Sequence, residues 1–286
     1  MSTTISNPDD NHRHLYLIED LLLVFILIFS FGNKNQWWPL QFILITALLL
    51  AHFTKLRIKF PIAFWGLTLL LTSLDIIQAY FVVANHSFVL FYMTSLVLLS
   101  YFYPLHRINI LKINSLSILV LIMFWGAVQK VLSPSFLNGD YISLTTIKGQ
   151  LFKPLLLAKL IPDVFAENIT LINEFRKTLP HPETFIQLKK PFTCFESFSY
   201  YFSLFIIVSE FLMVPVLFLK NNNLKNSFIL LFLSGLLFTR FETGFISLLI
   251  ILSVAQLPAT EKTFRFLYLG LFAVCITLML LKIGLR

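Results

Sequence analysis

Apolar residues run along this chain in long, nearly unbroken stretches separated by short polar connections. The apolar spans cover approximately 15–31, 39–53, 61–83, 87–103, 115–131, 198–219, 227–254 and 264–281. Most approach the ~20 residues that a helix needs to cross the hydrocarbon core of a bilayer. The pattern therefore predicts an all-α, polytopic transmembrane helix bundle with about eight spans. The second span is short. The seventh is long and holds Arg240, Glu242 and Gly244, so a break there would raise the count to nine. A β-barrel would need alternation of apolar and polar residues over about ten positions, and continuous apolar runs argue against it.

The polar stretch Met1–His14 reads as a disordered cytoplasmic tail, and residues 15–286 as a single transmembrane domain without internal repeats. The run Leu15–Phe31 is long for a signal-peptide core and lacks a small-x-small exit, so it is expected to be the first membrane helix. One long connection, 132–195, carries Pro134, Pro154, Pro162, Pro180, Pro182 and Pro191 and cannot form one continuous helix. Within it, Ile147–Ile161 mixes Lys148, Lys153 and Lys159 with aliphatic residues, the pattern of an interfacial amphipathic helix.

Composition sharpens the class. Hydrophobic residues make up 57% of the chain and charged ones 13%, against about 25% charged in ordinary soluble domains. The net charge of +8 is spread singly over the connections rather than gathered in a patch, which speaks for topology signals and against a nucleic-acid partner. With eight spans, one side carries Arg13, Lys55, Arg57, Lys59, Arg107, Lys112, Lys220, Lys225, Lys282 and Arg286. The short connections opposite carry Lys34, Lys262 and Arg265. The excess predicts a plasma (inner) membrane protein with both termini cytoplasmic and the 132–195 connection external. Cys194 and Cys275 have no metal-binding or redox spacing, so no metal is expected.

Ionisable groups inside spans are costly and usually face the bundle interior or a cavity. Asp75 shares a helical stripe with Thr68, Thr72 and Gln78, and Glu210 shares one with Ser199 and Ser203. Arg240 and Glu242 add charge to the seventh span. All four serve either as site residues or as packing charges. Glu210 is expected to pair with Arg240 or to be protonated. Lys130 ends the fifth span and His86 begins the fourth, where a snorkelling lysine and an interfacial histidine are the plain readings. The topology brings both to the external face, and a base with a proton-handling partner at one membrane level suits a shallow active site.

The segment Phe124-Trp-Gly-Ala-Val-Gln-Lys130-Val-Leu-Ser-Pro-Ser-Phe136-Leu-Asn-Gly139 resembles the membrane-exit motif of vitamin K-dependent γ-carboxylases and their bacterial HTTM (horizontally transferred transmembrane) relatives. Asn85-His86-Ser87-Phe88 resembles the family's Asn-His-Ser-aromatic motif, and Ser209-Glu210-Phe211 and Glu242-Thr-Gly244-Phe245 are weaker echoes of the family. The likeness extends over about residues 60–258. It implies that Lys130 deprotonates a reduced lipid quinone of the vitamin K hydroquinone kind, that His86 orients or stabilises charge, and that Asn85, Ser87, Phe136 and Gly139 support the motif. Oxygenation of the quinone would then create a base strong enough to prepare a glutamyl side chain for carboxylation.

This chain departs from the family in having Gln129-Lys130 for a lysine pair, one extra residue before Phe136, and Ser234 or a neighbour for a later histidine. It is expected to represent the membrane core without the large extramembrane domain. The expected partners are membrane lipids and a secreted peptide substrate or small partner protein. Two other classes compete with the enzyme: a non-catalytic membrane subunit that docks a partner, and a small-solute or ion carrier using Asp75, Glu210 and Arg240.

Overall fold

The structure is a computed structural model in which residues 8–32, 38–78, 85–160, 162–177 and 185–281 are described. Their regular structure is entirely helical. The helices are α1 (Pro8–Gly32), α2 (Trp38–Phe53), α3 (Leu56–Lys59), α4 (Pro61–Gln78), α5 (Asn85–Phe102), α6 (Arg107–Val131) and α7 (Pro134–Leu137). There follow α8 (Asp140–Ile147), α9 (Lys153–Leu157), α10 (Val164–Lys177), α11 (Phe195–Leu217), α12 (Asn222–Thr239), α13 (Thr243–Gln256) and α14 (Lys262–Leu280). Five stretches are long and apolar enough to cross a bilayer: Asp10–Phe31, Pro61–Gln78, Pro104–Val131, Phe195–Leu217 and Lys262–Leu280. Shorter apolar helices occupy Gln41–Leu50, His86–Phe102 and Thr243–Gln256. This composition points to an integral membrane protein.

Local chemistry sets the boundaries. Pro61 and Pro134 sit in the first turns of α4 and α7, where a missing N–H costs no helical bond. Asn221 caps α12, its side chain accepting from the N–H groups of Asn223 and Leu224. Buried hydroxyls inside the helices turn back on their own backbone: Thr68, Thr72, Thr94, Ser247 and Ser253 each donate to a carbonyl four residues earlier. The predicted seventh span is broken. Between α12 and α13, Phe241 adopts a left-handed conformation (φ 56°), and the charged residues Arg240 and Glu242 flank it.

The residues divide into two compact units. Unit 1 comprises the chain up to Leu119 together with Glu242 onward, and unit 2 is Val120–Phe241. The division falls inside α6 and at the 240–242 break, so no linker composition marks it in the sequence.

Unit 1 is built around α13, whose residues are buried from Thr243 to Gln256 except Phe245. It packs against α1, α5 and α14. Gly244 at its start meets the Phe29 ring near the end of α1, at 3.8 Å for a Cβ built there. Thus α13 runs antiparallel to α1. Tyr268 lies beside Ser253 and Cys275 beside Ser247, so α14 runs back beside α13, and Arg265 near its start lies within electrostatic reach of His14. It follows that α14 is parallel to α1. The start of α1 and the end of α14 therefore lie at opposite ends of this unit.

Two further expectations change. Helix α1 begins at Pro8, so residues 8–14 of the expected tail are helical and His14 is buried, while residues 1–7 lie outside the described set. The expected amphipathic helix over Ile147–Ile161 is not one helix. The α8 helix stops at Ile147, Gly149 and Phe152 take left-handed conformations, and Pro154 opens the short α9; Ile161 lies outside the described residues. A proline in mid-segment forbids the continuous helix that the lysine spacing suggested.

In unit 2, α8 and α7 pack on α11 over a core of Phe136, Ile142, Leu151 and Ile207. The Phe152 N–H donates to the Thr239 carbonyl at the end of α12, and the rings of Phe152, Phe198 and Phe202 stack beside it. Asn168 of α10 exchanges two hydrogen bonds with the Lys189 backbone, fixing the extended segment that leads to α11.

Candidate functional site

Unit 2 assembles the membrane-exit segment into a polar site. Lys130 lies in the last turn of α6, one turn after the Gly126-Ala127 pair. Its ammonium folds back over Gly126, donating to that carbonyl at 3.2 Å, and reaches across to Glu210 in the middle of α11. The Nζ lies 2.8 Å from Oε1 and 2.6 Å from Oε2. A side chain at position 126 would stand 3.4 Å from Glu210 Oε2 and 3.7 Å from Lys130 Nζ, so the bare backbone leaves the pair room. The two side chains are 16% and 13% exposed. The pair is therefore mostly desolvated, where charge-assisted hydrogen bonds strengthen, yet it remains reachable.

The neighbours are aromatic. Lys130 Nζ stands 5.7 Å from the centre of the Phe136 ring, and Phe124 of α6 meets Phe211 of α11 edge-on at 6.2 Å. Phe136 is fixed from behind, its carbonyl accepting from the buried Ser203 hydroxyl. Gly139 closes the corner. Its φ is +81°, and an added Cβ would lie 2.6 Å from the Tyr200 nitrogen and 2.8 Å from the Ser199 carbonyl carbon. Only glycine permits both that conformation and that approach. The stripe Ser199, Ser203 and Glu210 thus faces the α6–α7 corner, and Glu210 finds Lys130 as its partner, a lysine 80 positions away in the chain.

Other predicted residues gather in unit 1. His86, in the first turn of α5, stands edge-on to Phe29 at 5.0 Å and within electrostatic reach of Glu242, which precedes α13. Ser87 beside it is buried; the Asn85 side chain lies outside the described residues. Asp75 is buried in α4 with Thr68 and Thr72, whereas Gln78 of the same stripe is exposed. Arg240 ends α12 in unit 2, half-buried. His86 and Lys130 belong to different units.

Sequence reasoning passed over a second ionic centre, also in unit 1. Glu19 of α1 is fully buried. One oxygen accepts from Arg107 and from the Tyr101 hydroxyl, both at 2.7 Å, and the other lies 3.8 Å from Arg57 Nε. Arg57 also contacts Asp20 at 2.5 Å, and the Arg107 guanidinium stacks 3.8 Å from the centre of the Tyr101 ring. The signal was there to read: Glu19-Asp20 are adjacent carboxylates inside the first apolar run.

No model of a known protein family matches the chain, and no curated protein or solved structure is found to be similar to it.

Proposed function

We propose that the protein is a membrane-embedded enzyme of the γ-carboxylase-like, HTTM kind, with Lys130 as its base and Glu210 as the group that receives the proton from Lys130. The observation that carries this reading is the Lys130–Glu210 contact, 2.6 Å long, partly open and built on the segment that resembles the family. A charged ammonium cannot act as a base. A carboxylate in hydrogen-bond contact can take its proton and leave a neutral amine at Nζ, which is then able to remove a proton from an acidic hydroxyl.

A reduced lipid quinone is the group this reading takes, with the Lys130–Glu210 pair to handle its proton, the Phe136 ring 5.7 Å from Nζ, and the Phe124–Phe211 contact joining the same two helices. When bound, such a group supplies an acidic ring hydroxyl and the reducing power for reaction with oxygen. Lys130 then holds the proton at Nζ and Phe136 lends an apolar wall. The substrate is a secreted peptide or small partner protein presented at the external face.

The membrane arrangement that goes with this reading has nine crossings, α12 and α13 counting separately, in the plasma (inner) membrane. The N-terminal end is cytoplasmic, because Arg13, Lys55, Arg57, Lys59, Arg107, Lys262 and Arg265 all fall at the α1-start end of unit 1. Single cysteines placed in the 132–195 connection and after α14 should label from outside intact cells.

The deciding experiment is Lys130→Arg in purified protein, read as oxygen-dependent consumption of vitamin K hydroquinone. Arginine keeps the charge and the Glu210 contact but does not release a proton. Loss of turnover with an unchanged melting temperature supports the base. A fully active Lys130→Arg protein sinks it and favours the non-catalytic, partner-docking subunit, for which the ion pair only joins α6 to α11.

A further inference from the structure

We propose that the α1-start end of unit 1 is a binding surface for anionic phospholipid headgroups, organised by Glu19. The argument starts from two short connections. The 54–60 segment reads Thr-Lys-Leu-Arg-Ile-Lys-Phe, a strict alternation of cationic and apolar residues from Lys55 onward. Its arginine, Arg57, points inward to Glu19 and Asp20. The residues around it point outward: Leu56 is 40% exposed, Ile58 58% and Phe60 61%, with Lys55 and Lys59 also exposed.

The second connection repeats the device. Arg107 points inward to the same carboxylate, while Tyr103 (54%) and Leu105 (93%) are turned out. One buried carboxylate therefore holds two connections by their arginines and leaves a rim of large apolar side chains interleaved with free-standing lysines.

That combination has a specific chemistry. Exposed aliphatic and aromatic side chains at the end of membrane helices seat in the headgroup–acyl boundary. Lysines beside them stand at the level of the phosphates. Arg57 and Arg107 are already met by Glu19 and Asp20, so the cations left exposed at this end are Arg13, Lys55, Lys59 and Lys262, with half-buried Arg265 beside them and the half-buried carboxylates Asp10 and Glu261 against them, and the excess selects an anionic partner. Basic residues next to a membrane attract anionic lipid by about 1 kcal/mol each, or roughly fivefold.

The test uses the full-length chain in micelles doped with equal amounts of phosphatidylglycerol and phosphatidylcholine, with retained lipid counted by native mass spectrometry. The wild-type protein should retain phosphatidylglycerol preferentially, and the preference should vanish at about 1 M salt, where the screening length falls to about 3 Å. Lys55→Gln/Lys59→Gln should cut it by about tenfold or more while leaving the melting temperature unchanged, since both side chains are exposed. Equal retention of the two lipids by the wild type, a preference that survives high salt, or an undiminished preference in the double variant would each overturn the proposal.

Discussion

The two units treat charge in opposite ways. In unit 1, Glu19 is sealed at 0% exposure and is met by two arginines and a tyrosine, with Asp20 sharing one arginine. In unit 2, one lysine meets one carboxylate, and both remain partly open. A carboxylate with several donors from two connections is a tie: its protonation would weaken several contacts together. A single pair whose two members can exchange a proton is poised for chemistry, because moving that proton leaves two neutral groups still hydrogen-bonded. On the proposed reading, burial and partner number, more than the presence of charge in a membrane helix, separate the structural centre from the reactive one.

The largest expected effect tests the tie. Glu19→Leu removes the carboxylate partner of Arg107, leaves Arg57 to Asp20 alone, and should cost about 3–5 kcal/mol, seen as lost yield or a much lower melting temperature in detergent. Should Glu19→Leu melt within a degree or two of the wild type, unit 1 would lose its claim to be the structural partner in the comparison.

Next comes Gly139→Ala, which forces a left-handed alanine into the Tyr200 backbone. Its cost should exceed ~1 kcal/mol, with turnover falling as Phe136 shifts from Lys130. The control is Gly126→Ala, where the added methyl makes only ordinary contact and the stability should move by less than about 1 kcal/mol.

A double-mutant cycle sharpens the comparison further. Lys130→Met or Glu210→Leu alone leaves one half-buried charge and should cost about 1–3 kcal/mol, while the pair of substitutions together should recover most of that. Additive single effects in the melting data would mean that the two side chains do not interact. The smallest effect belongs to the surface. Lys189 and Glu167 form an ion pair with side chains 65% and 50% exposed, and Lys189→Gln should change stability by less than about 0.5 kcal/mol. A larger loss there would show that exposure is a poor guide to what these ion pairs do.

How much was legible follows from distance along the chain. Apolar runs announce most of the helices because each helix is a local pattern, and Arg240 and Glu242 announce the break for the same reason. Pairings do not. Arg107 and Glu19 stand 88 positions apart and Lys130 and Glu210 80 apart, so the sequence offers the members without the match, and Arg240 is the expected partner for Glu210 where the structure has Lys130. The direction of α14 was hidden by arithmetic: Lys262 and Arg265 contribute as much positive charge to one side as Lys282 and Arg286 do to the other. Charge counting therefore gives nearly the same totals whichever way the last helix runs, the difference being Arg240 in its own short connection. The corner at Gly139 was legible only as a motif; its reason, a backbone approach to Tyr200, exists only in the fold.

The burial of α13 has a consequence for synthesis. This helix is 14 residues long and covered almost all round by α1, α5 and α14, so it is held by protein more than by lipid. Two walls of its seat, α1 and α5, leave the ribosome well over a hundred residues earlier, with the whole of unit 2 translated in between, and the third, α14, follows it. Until α13 arrives, the apolar walls of α1 and α5 that will enclose it, Phe29 among them, need a temporary cover. Unit 2 is thus an insertion that must not tangle with a half-built neighbour, and the last two helices act as the closing piece of the first unit begun.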